Sequence, residues 1–502
     1  MKKNILIVGL DGGTFTLIEE FAAKNSLPFL SLMMERGSYA RMLSIDQNTR
    51  VPISPTIWTS LASGKRAEKH NIKSFFNLQS DIKSARFFEI FNHYGYTVGN
   101  FGWELTWPPE DYGAFNIPCN MARDNSALPK EASAVQELRK RSKKRGVGLL
   151  SNAILFLRLF KLGVGFSTLL KTAVDISQKT ADKRTKQFQN LINGSRINFS
   201  LFCSLYKKYK PDIGFYFIPI TDSGAHYFWK YYDEKNFPGI DPEKRKKYGQ
   251  FLKTIYEEVD RQLSEIHKLN EDADLFIISD HGMKPIMEGS FETISLRAKR
   301  FLELAQLQEK VELYHVGLNC VINVREGSSI DAKFLYNFFK NARIISLNKP
   351  FFEVIEMDNT GRIFLKVLQK DKGDYEGHNI EDLEVRLGNS VCRMSEIIEL
   401  NDLERSADHD EWGIFIHFSK SKEGRRKMND CEIYDFLPTL LSAAGLPLSE
   451  DFDGKPVDIG YKNDGNKIPT YNFLVKHSAV ESSVDDSYVK DELKRLGYMK
   501  DE

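Results

Sequence analysis

The chain has 502 residues, with 70 Lys and Arg against 69 Asp and Glu and a formal net charge of +1, a balance that argues against a general nucleic-acid binder, which carries a clear basic excess. With 41% hydrophobic and 28% charged residues, 17 prolines and 33 glycines, it has material for a sizeable core and no bias toward disorder. The length suggests two to four domain-sized units, or one large core carrying insertions.

At the N-terminus, Met1-Lys2-Lys3 followed by Asn4–Leu10 superficially resembles a signal peptide. The apolar run is too short, breaks at Asp11-Gly12-Gly13 and has no small-residue cleavage site. It reads as the first buried strand of a parallel sheet. Next comes a hydroxyl-rich segment, Arg50–Gly64, offering Ser54, Thr56, Thr59 and Ser60. Residues 131–200 are basic and helical in pattern. Two further apolar runs end in an acid: Asp212–Thr221 at Asp222, and Asp274–Ser279 at Asp280. Between them Leu252, Ile255, Tyr256, Val259, Leu263 and Ile266 recur at helical spacing. Residues 301–400 mix short strands and helices, with a turn signal at Asn359-Thr360-Gly361. Gly413–Phe418 reads as another strand and Ile433–Leu446 as a helix. The expected organisation is a core in three parts (1–130, 201–300, 401–475), a helical basic insertion at 131–200, an α+β cap at 301–400 and a tail at 476–502. Buried strands alternating with helices make an α/β sheet, whose ligands collect beyond the carboxyl ends of the strands.

Five scattered cysteines (Cys119, Cys203, Cys320, Cys392, Cys431) with no CxxC pair argue against a disulfide framework or a cysteine zinc site and fit a reducing compartment. No stretch approaches about 18 uninterrupted apolar residues. The expected location is cytoplasmic, with membrane association an option through the basic segment below.

Taken singly, the candidate site residues are weak. Asp11 before two glycines is as readily a turn or a cap. Asp222 and His226, four apart, share a face if Asp222 opens a helix, as metal ligands need, yet an isolated pair of this kind is more often a cap and a packed histidine. Asp280-His281 after a fully apolar strand is stronger, because an unpaired charge there is costly. His409 alone reads as a loop residue. Together they make two sets, Asp11/Asp280/His281 and Asp222/His226/His409. Mixed Asp/His ligation suits zinc, and also manganese or iron. Two adjacent divalent ions are the usual device for displacement at phosphorus. The nucleophile would be one of the four hydroxyls, and nothing in spacing chooses among them.

Five segments in order, LDGGTF (10–15), the hydroxyl segment running to SGKRAEKHNI (63–72), TDSGAH (221–226), SDHGM (279–283) and HDEWG (409–413), resemble the alkaline phosphatase superfamily. More closely, they resemble its type I phosphodiesterase/nucleotide pyrophosphatase branch. TWPPE at 106–110, YDFLPTLLSAAGLP (434–447) with DFDGKPV (451–457), and the terminal LKRLGYM echo bacterial members of unassigned substrate. The resemblance implies an alkaline-phosphatase-like core, a mostly parallel sheet flanked by helices. It places the nucleophile on Ser54, ten residues before Gly64 and itself in metal contact, and the metal ligands on Asp11, Asp222, His226, Asp280, His281 and His409. The implied reaction is phosphodiester or pyrophosphate hydrolysis through a covalent phosphoserine with two divalent ions, zinc first. Serine rather than the branch's usual threonine keeps phosphomonoester hydrolysis or phosphoryl transfer as the alternative. His70-Asn71 replaces an HG pair, and asparagine tolerates the left-handed backbone a glycine would adopt there. The branch's phosphate-binding asparagine is Phe75 here, a residue that on its own reads as core. Pro55-Thr56-Ile57-Trp58 after Ser54 lacks the sulfatase pattern, and no phosphoglycerate mutase serine motif is present.

Arg139–Arg145 packs six cations into seven residues before a punctuated apolar stretch, Gly146–Val174. Such a cluster suits an anionic membrane surface, at roughly 1 kcal/mol per cation; a cap helix packed on the core is the plainer and preferred reading. Expected partners are a phosphorylated small molecule, nucleotide-type or glycan- or lipid-linked, with no specific nucleic-acid binding and peripheral membrane contact through 139–174 as an option. A non-catalytic membrane adaptor is the competing class, and the complete ligand set argues against it.

Overall fold

Ile5–Leu10 is apolar and buried at every position, which a strand achieves only when its sheet is covered on both faces. The structure, a computed structural model, describes residues 2–44, 53–73, 75–141, 149–177, 182–286, 292–316, 319–325, 327–357, 361–368, 375, 377–402, 405–422, 426–461, 465–476 and 488–489. The described residues form two compact units. One comprises Met1–Asp233, Ile240–Lys284 and Ala407–Val489, and the other contains Glu234–Gly239 and Pro285–Ser406.

The first unit is built on a nine-stranded sheet. Its strands include β1 (Ile5–Leu10), β2 (Ser38–Leu43), β3 (Val98–Phe101), β4 (Gly113–Ile117), β5 (Ile213–Ile218) and β6 (Asp274–Ile278). Across the sheet the order is β2, the Trp412–Phe418 strand, β6, β1, β5, β3, β4. Parallel pairing joins β6, β1, β5, β3 and β4 in turn. Trp412–Phe418 runs antiparallel to both β6 and β2. The mostly parallel α/β core expected from the sequence is the observed architecture. β1 lies between β5 and β6, so the carboxyl ends of these three strands are neighbours.

Helices cover the sheet with the faces their spacing dictates. Phe251–His267 buries Leu252, Ile255, Tyr256, Val259, Leu263 and Ile266, each such side chain contributing about 1.5–3 kcal/mol. Under the helix Ser54–Ser63, Trp58 meets Trp103 edge-on with ring centroids 5.0 Å apart. A Cβ on Gly9 would stand 2.7 Å from the Trp58 ring, so glycine in β1 is what lets this helix approach the strand. The expected Ile433–Leu446 helix is a short 3-10 turn, Ile433–Asp435, followed by Phe436–Ala444 and closed by Gly445 at φ +68°.

Four expected boundaries fall inside elements, the 130/131 boundary in the 3-10 turn Lys130–Ala132. Residue 201 lies within the 27-residue helix Lys183–Tyr209, whose Tyr206 ring would be 2.7 Å from a Cβ on Gly214 of β5. That helix belongs to the sheet's own flank. Residue 301 cuts Ala298–Leu304 and 401 cuts Ile398–Asp402; the main stretch of the second unit runs from Pro285 to Ser406. Within it, two four-stranded antiparallel sheets and the helix Ala332–Lys340 bury a core that includes Phe301, Leu335, Phe339 and Phe352. Asn359 and Thr360 of the turn signal, the terminal LKRLGYM and most of the basic run (142–145) lie outside the described residues.

Candidate active site

The chain leaves β1, β5 and β6 with acids in reach of one another. Asp11 directly follows β1, and its amide donates to the Ile218 carbonyl at 3.0 Å, prolonging the strand pairing by one residue. Gly12 then turns at φ +64°, where a Cβ would stand 3.1 Å from Cα and Cβ of Asp222. Its amide faces Asp280 Oδ1 at 3.3 Å. A side chain here would be strained and would wedge the acids apart. Asp222 is not at a strand end as the apolar run suggests. β5 stops at Ile218, and Asp222 occupies the first turn of the helix Ile220–Tyr232, one turn before His226. Both side chains share one buried face, with His226 Nε2 3.0 Å from Asp222 Oδ1.

All six expected acids and histidines come together as two triads. The donor atoms of Asp222, His226 and His409 lie within 4.8 Å of one another, and so do those of Asp11, Asp280 and His281. His409, carried on the short strand Ala407–Asp410, brings Nε2 to 3.4 Å from Asp222 Oδ1. His281 Nε2 stands 3.6 Å from Asp11 Oδ1 and 3.5 Å from Asp280 Oδ2. The triads adjoin through the stacked rings of His281 and His409, whose centroids are 3.7 Å apart.

The donor set fits divalent cations. Nδ1 of His281 is 2.9 Å from the Gly282 carbonyl, and Nδ1 of His226 is 2.6 Å from that of Ala407. A carbonyl only accepts, so each Nδ1 carries the proton and each Nε2 turns a lone pair toward the carboxylates. This is how protein metal sites fix a ligating imidazole. Asp11 Oδ1, Asp280 Oδ2 and His281 Nε2 are buried without a hydrogen-bond partner. Lone pairs facing lone pairs in a desolvated pocket need a cation between them. The electrostatics agree: burial, then Asp280, Asp222 and Glu104, push the Asp11 carboxyl well above its usual range. At Asp222 burial works upward, but hydrogen bonds donated by His226 and His409, which the rings can give only when no cation occupies Nε2, hold that carboxyl well below its usual range.

The hydroxyl segment is sorted by its hydrogen bonds. Thr59 and Ser63 donate to carbonyls one turn back, Pro55 and Thr59, each at 2.7 Å. Ser60 Oγ lies 3.0 Å from His70 Nε2. His70 Nδ1 accepts from the Ile72 amide, so Nε2–H donates to Ser60, and burial keeps the ring neutral with a pKa pushed down to about 3. Asn71 sits at φ +68°, the left-handed backbone expected of it. Ser54 and Thr56 remain. Ser54 is the first residue of its helix, where unpaired amides and the helix dipole favour an anion.

Glu104 is the residue that motif reading passed over. It lines a pocket with Pro55, Phe75, Trp107, Cys119 and Arg123, and burial pushes its carboxyl up to about 7, Cys119 opposing and Asp280 adding to the shift. Its charge also bears on Asp11, which links the pocket beside Ser54 to the triads. A lone glutamate in the apolar stretch Phe101–Leu105 was the available signal. Phe75 is half-buried and lines this pocket; it is not core.

A mostly parallel sheet with paired Asp/His triads beyond its central strands is the arrangement of a metal-dependent α/β enzyme. Residues 5–356 match the family "type I phosphodiesterase / nucleotide pyrophosphatase", and the chain belongs to that family. It is a hydrolase acting on phosphoric ester bonds, from a family that is generally metal-dependent. No curated protein matches it. Among solved structures it is similar to phosphonoacetate hydrolase from Sinorhizobium meliloti in complex with phosphonoformate, at 14% identity over 87% of this chain and 94% of that one, with a TM-score of 0.46. Murine ectonucleotide pyrophosphatase/phosphodiesterase 5 is similar at 14% identity over 88% and 95%, with a TM-score of 0.45.

Proposed function

We propose that the protein cleaves a phosphodiester or pyrophosphate bond with Ser54 as nucleophile and two divalent ions, zinc first and manganese or iron by the same donors. The observation that carries this reading is the pair of adjoining triads, the donor atoms of each within 4.8 Å of one another, with Asp11 Oδ1, Asp280 Oδ2 and His281 Nε2 buried and without a hydrogen-bond partner. Asp11, Asp280 and His281, with Ser54, would hold one ion; Asp222, His226 and His409 would hold the other. Bound there, such ions neutralise phosphoryl oxygens and lower the pKa of a nearby hydroxyl or water.

Ser54 Oγ attacks phosphorus, the bond to the leaving oxygen breaks, and a phosphoserine forms. Water then attacks the same phosphorus, releasing phosphate or a phosphomonoester and restoring the Ser54 hydroxyl. The Ser54 helix offers backbone amides to the phosphoryl oxygens, and the carbonyls of Gly282 and Ala407 keep His281 and His226 in the required tautomer. A phosphomonoesterase or phosphoryl transferase is the second reading, favoured by serine at position 54 and by Phe75 in the adjoining pocket.

The test is turnover of bis-p-nitrophenyl phosphate and p-nitrophenyl phosphate by zinc- or manganese-loaded enzyme. Diester cleavage that Ser54→Ala lowers by about four orders of magnitude and Thr56→Ala leaves largely intact is expected. Cleavage of the monoester alone moves the assignment to the second reading. Loss in Thr56→Ala with retention in Ser54→Ala overturns the nucleophile.

A further inference from the structure

Among the described residues, eleven large apolar side chains are substantially exposed, and six of them lie on two consecutive helices. These are Leu149–Lys161 and Phe166–Ser177, joined by a tight turn in which the Gly163 amide donates to the Phe160 carbonyl. Their inner faces are ordinary: Leu155, Leu159, Val164 and Leu169 are buried. The outward residues repeat the helical period a second time, with Ile154, Leu157 and Phe160 on the first helix and Phe166, Leu170 and Val174 on the second. Their exposure runs from 48% at Val174 to 68% at Phe166. A helix that is apolar on both faces needs a cover on its second face.

Charge says what the cover is. Between Arg139 and Ser177 the sequence holds nine cations and a single acid, Asp175, in a chain whose whole formal charge is +1. Arg139 and Lys140 donate to the Pro118 and Arg123 carbonyls and Arg158 pairs with Glu137, so the exposed cations on the described hairpin are Lys161 and Lys171. Asp175 is itself hydrogen-bonded by Asn193. Beside the second helix, Lys171, Arg196 and Arg261 line one pocket with Ser167 and Thr168, the two arginines sharing the carboxylate of Glu258. Such a pocket suits an anionic phosphate headgroup. A second copy of this surface would set the same excess of cations against itself. An anionic bilayer instead takes the apolar residues into its interface and the lysines and arginines at its headgroups.

We propose that the helical hairpin 149–177 is a peripheral membrane anchor that docks the protein on an anionic phospholipid surface. It does not depend on the phosphodiester reading, since it uses none of the triad residues. The probe is cosedimentation of the full chain with vesicles of phosphatidylcholine alone and with vesicles containing about one-third phosphatidylglycerol. Binding confined to the anionic vesicles, and weakening as salt rises, is expected. The double variant Phe160→Glu/Phe166→Glu should bind about tenfold more weakly or worse at an unchanged thermal midpoint. Four results would each overturn the proposal: no preference for anionic vesicles, equal binding by the variant, a soluble dimer that the variant dissociates, or binding only after removal of residues 490–502, which would make the tail the cover.

Discussion

Asp11 and Asp222 stand on either side of Gly12, yet their surroundings drive them in opposite directions. Burial and the neighbouring carboxylates raise Asp11, while His226 and His409 prevail over burial at Asp222. One triad therefore brings two carboxylates and one imidazole to a cation, and the other one carboxylate and two imidazoles. The first depends more on bound metal for its charge balance. Asp280→Ala or His409→Ala should lower the metal content of the purified protein and abolish turnover while leaving its circular dichroism unchanged. Full activity in either variant, with metal measured by elemental analysis, would refute the site. The hydroxyls show the same dependence on surroundings. Ser60 and Thr59 look as nucleophilic as Ser54 in the sequence, but one is tied to His70 and the other to its own helix.

At the scale of elements, the parallel strands carry polar devices at both ends. At the amino end, buried Asp274 opens β6, 2.8 Å from Lys3 Nζ beside β1 and 3.5 Å from His417 Nε2 on the antiparallel strand. Burial alone would raise its pKa, but His417 and Lys3 bring it down to about 2. A carboxyl held below its unfolded value stabilises the fold above that unfolded value, and the contribution fades as pH falls toward the folded one. Asp274→Asn should therefore cost about 2 kcal/mol near neutral pH. The gap to wild type should narrow as pH drops from about 5 toward 3, read from urea denaturation midpoints. A gap independent of pH would assign the loss to packing. At the carboxyl end, Gly12 joins β1 to the site at positive φ, hard against Asp222. Gly12→Ala should cost about 1–3 kcal/mol and reduce turnover as well, measured by thermal melting beside the diester assay.

At the scale of the molecule, the first unit is discontinuous in sequence, and the second draws its main body from one stretch, Pro285–Ser406. That stretch has its own core, with Phe301, Phe339, Ile363 and Met394 fully buried. Expressed alone, residues 285–406 should fold, giving a cooperative thermal transition and dispersed amide signals. A molten spectrum would show that its core is incomplete without the rest of the chain. Among the described residues no helix is long and apolar enough to cross a membrane.

What the sequence determined by itself is whatever depends on neighbours along the chain. The apolar runs became β1, β5 and β6, the 3.6-residue period became Phe251–His267, and Asp222 and His226 share a helical face because they are four apart. Chain order of the motifs was enough to reach the family. Only the tertiary structure decided what depends on residues far apart in the chain. The strand order places β1 between β5 and β6 and so brings Asp11, Asp222 and Asp280 within reach of one another. His409 joins Asp222 across 187 positions, and Glu104 and Phe75 enter the pocket beside Pro55. Which face of the 149–177 helices meets solvent was likewise undecided, because both faces are apolar. A hydrophobic period states that a face will be buried, and only the packing of the whole chain states which faces find a partner.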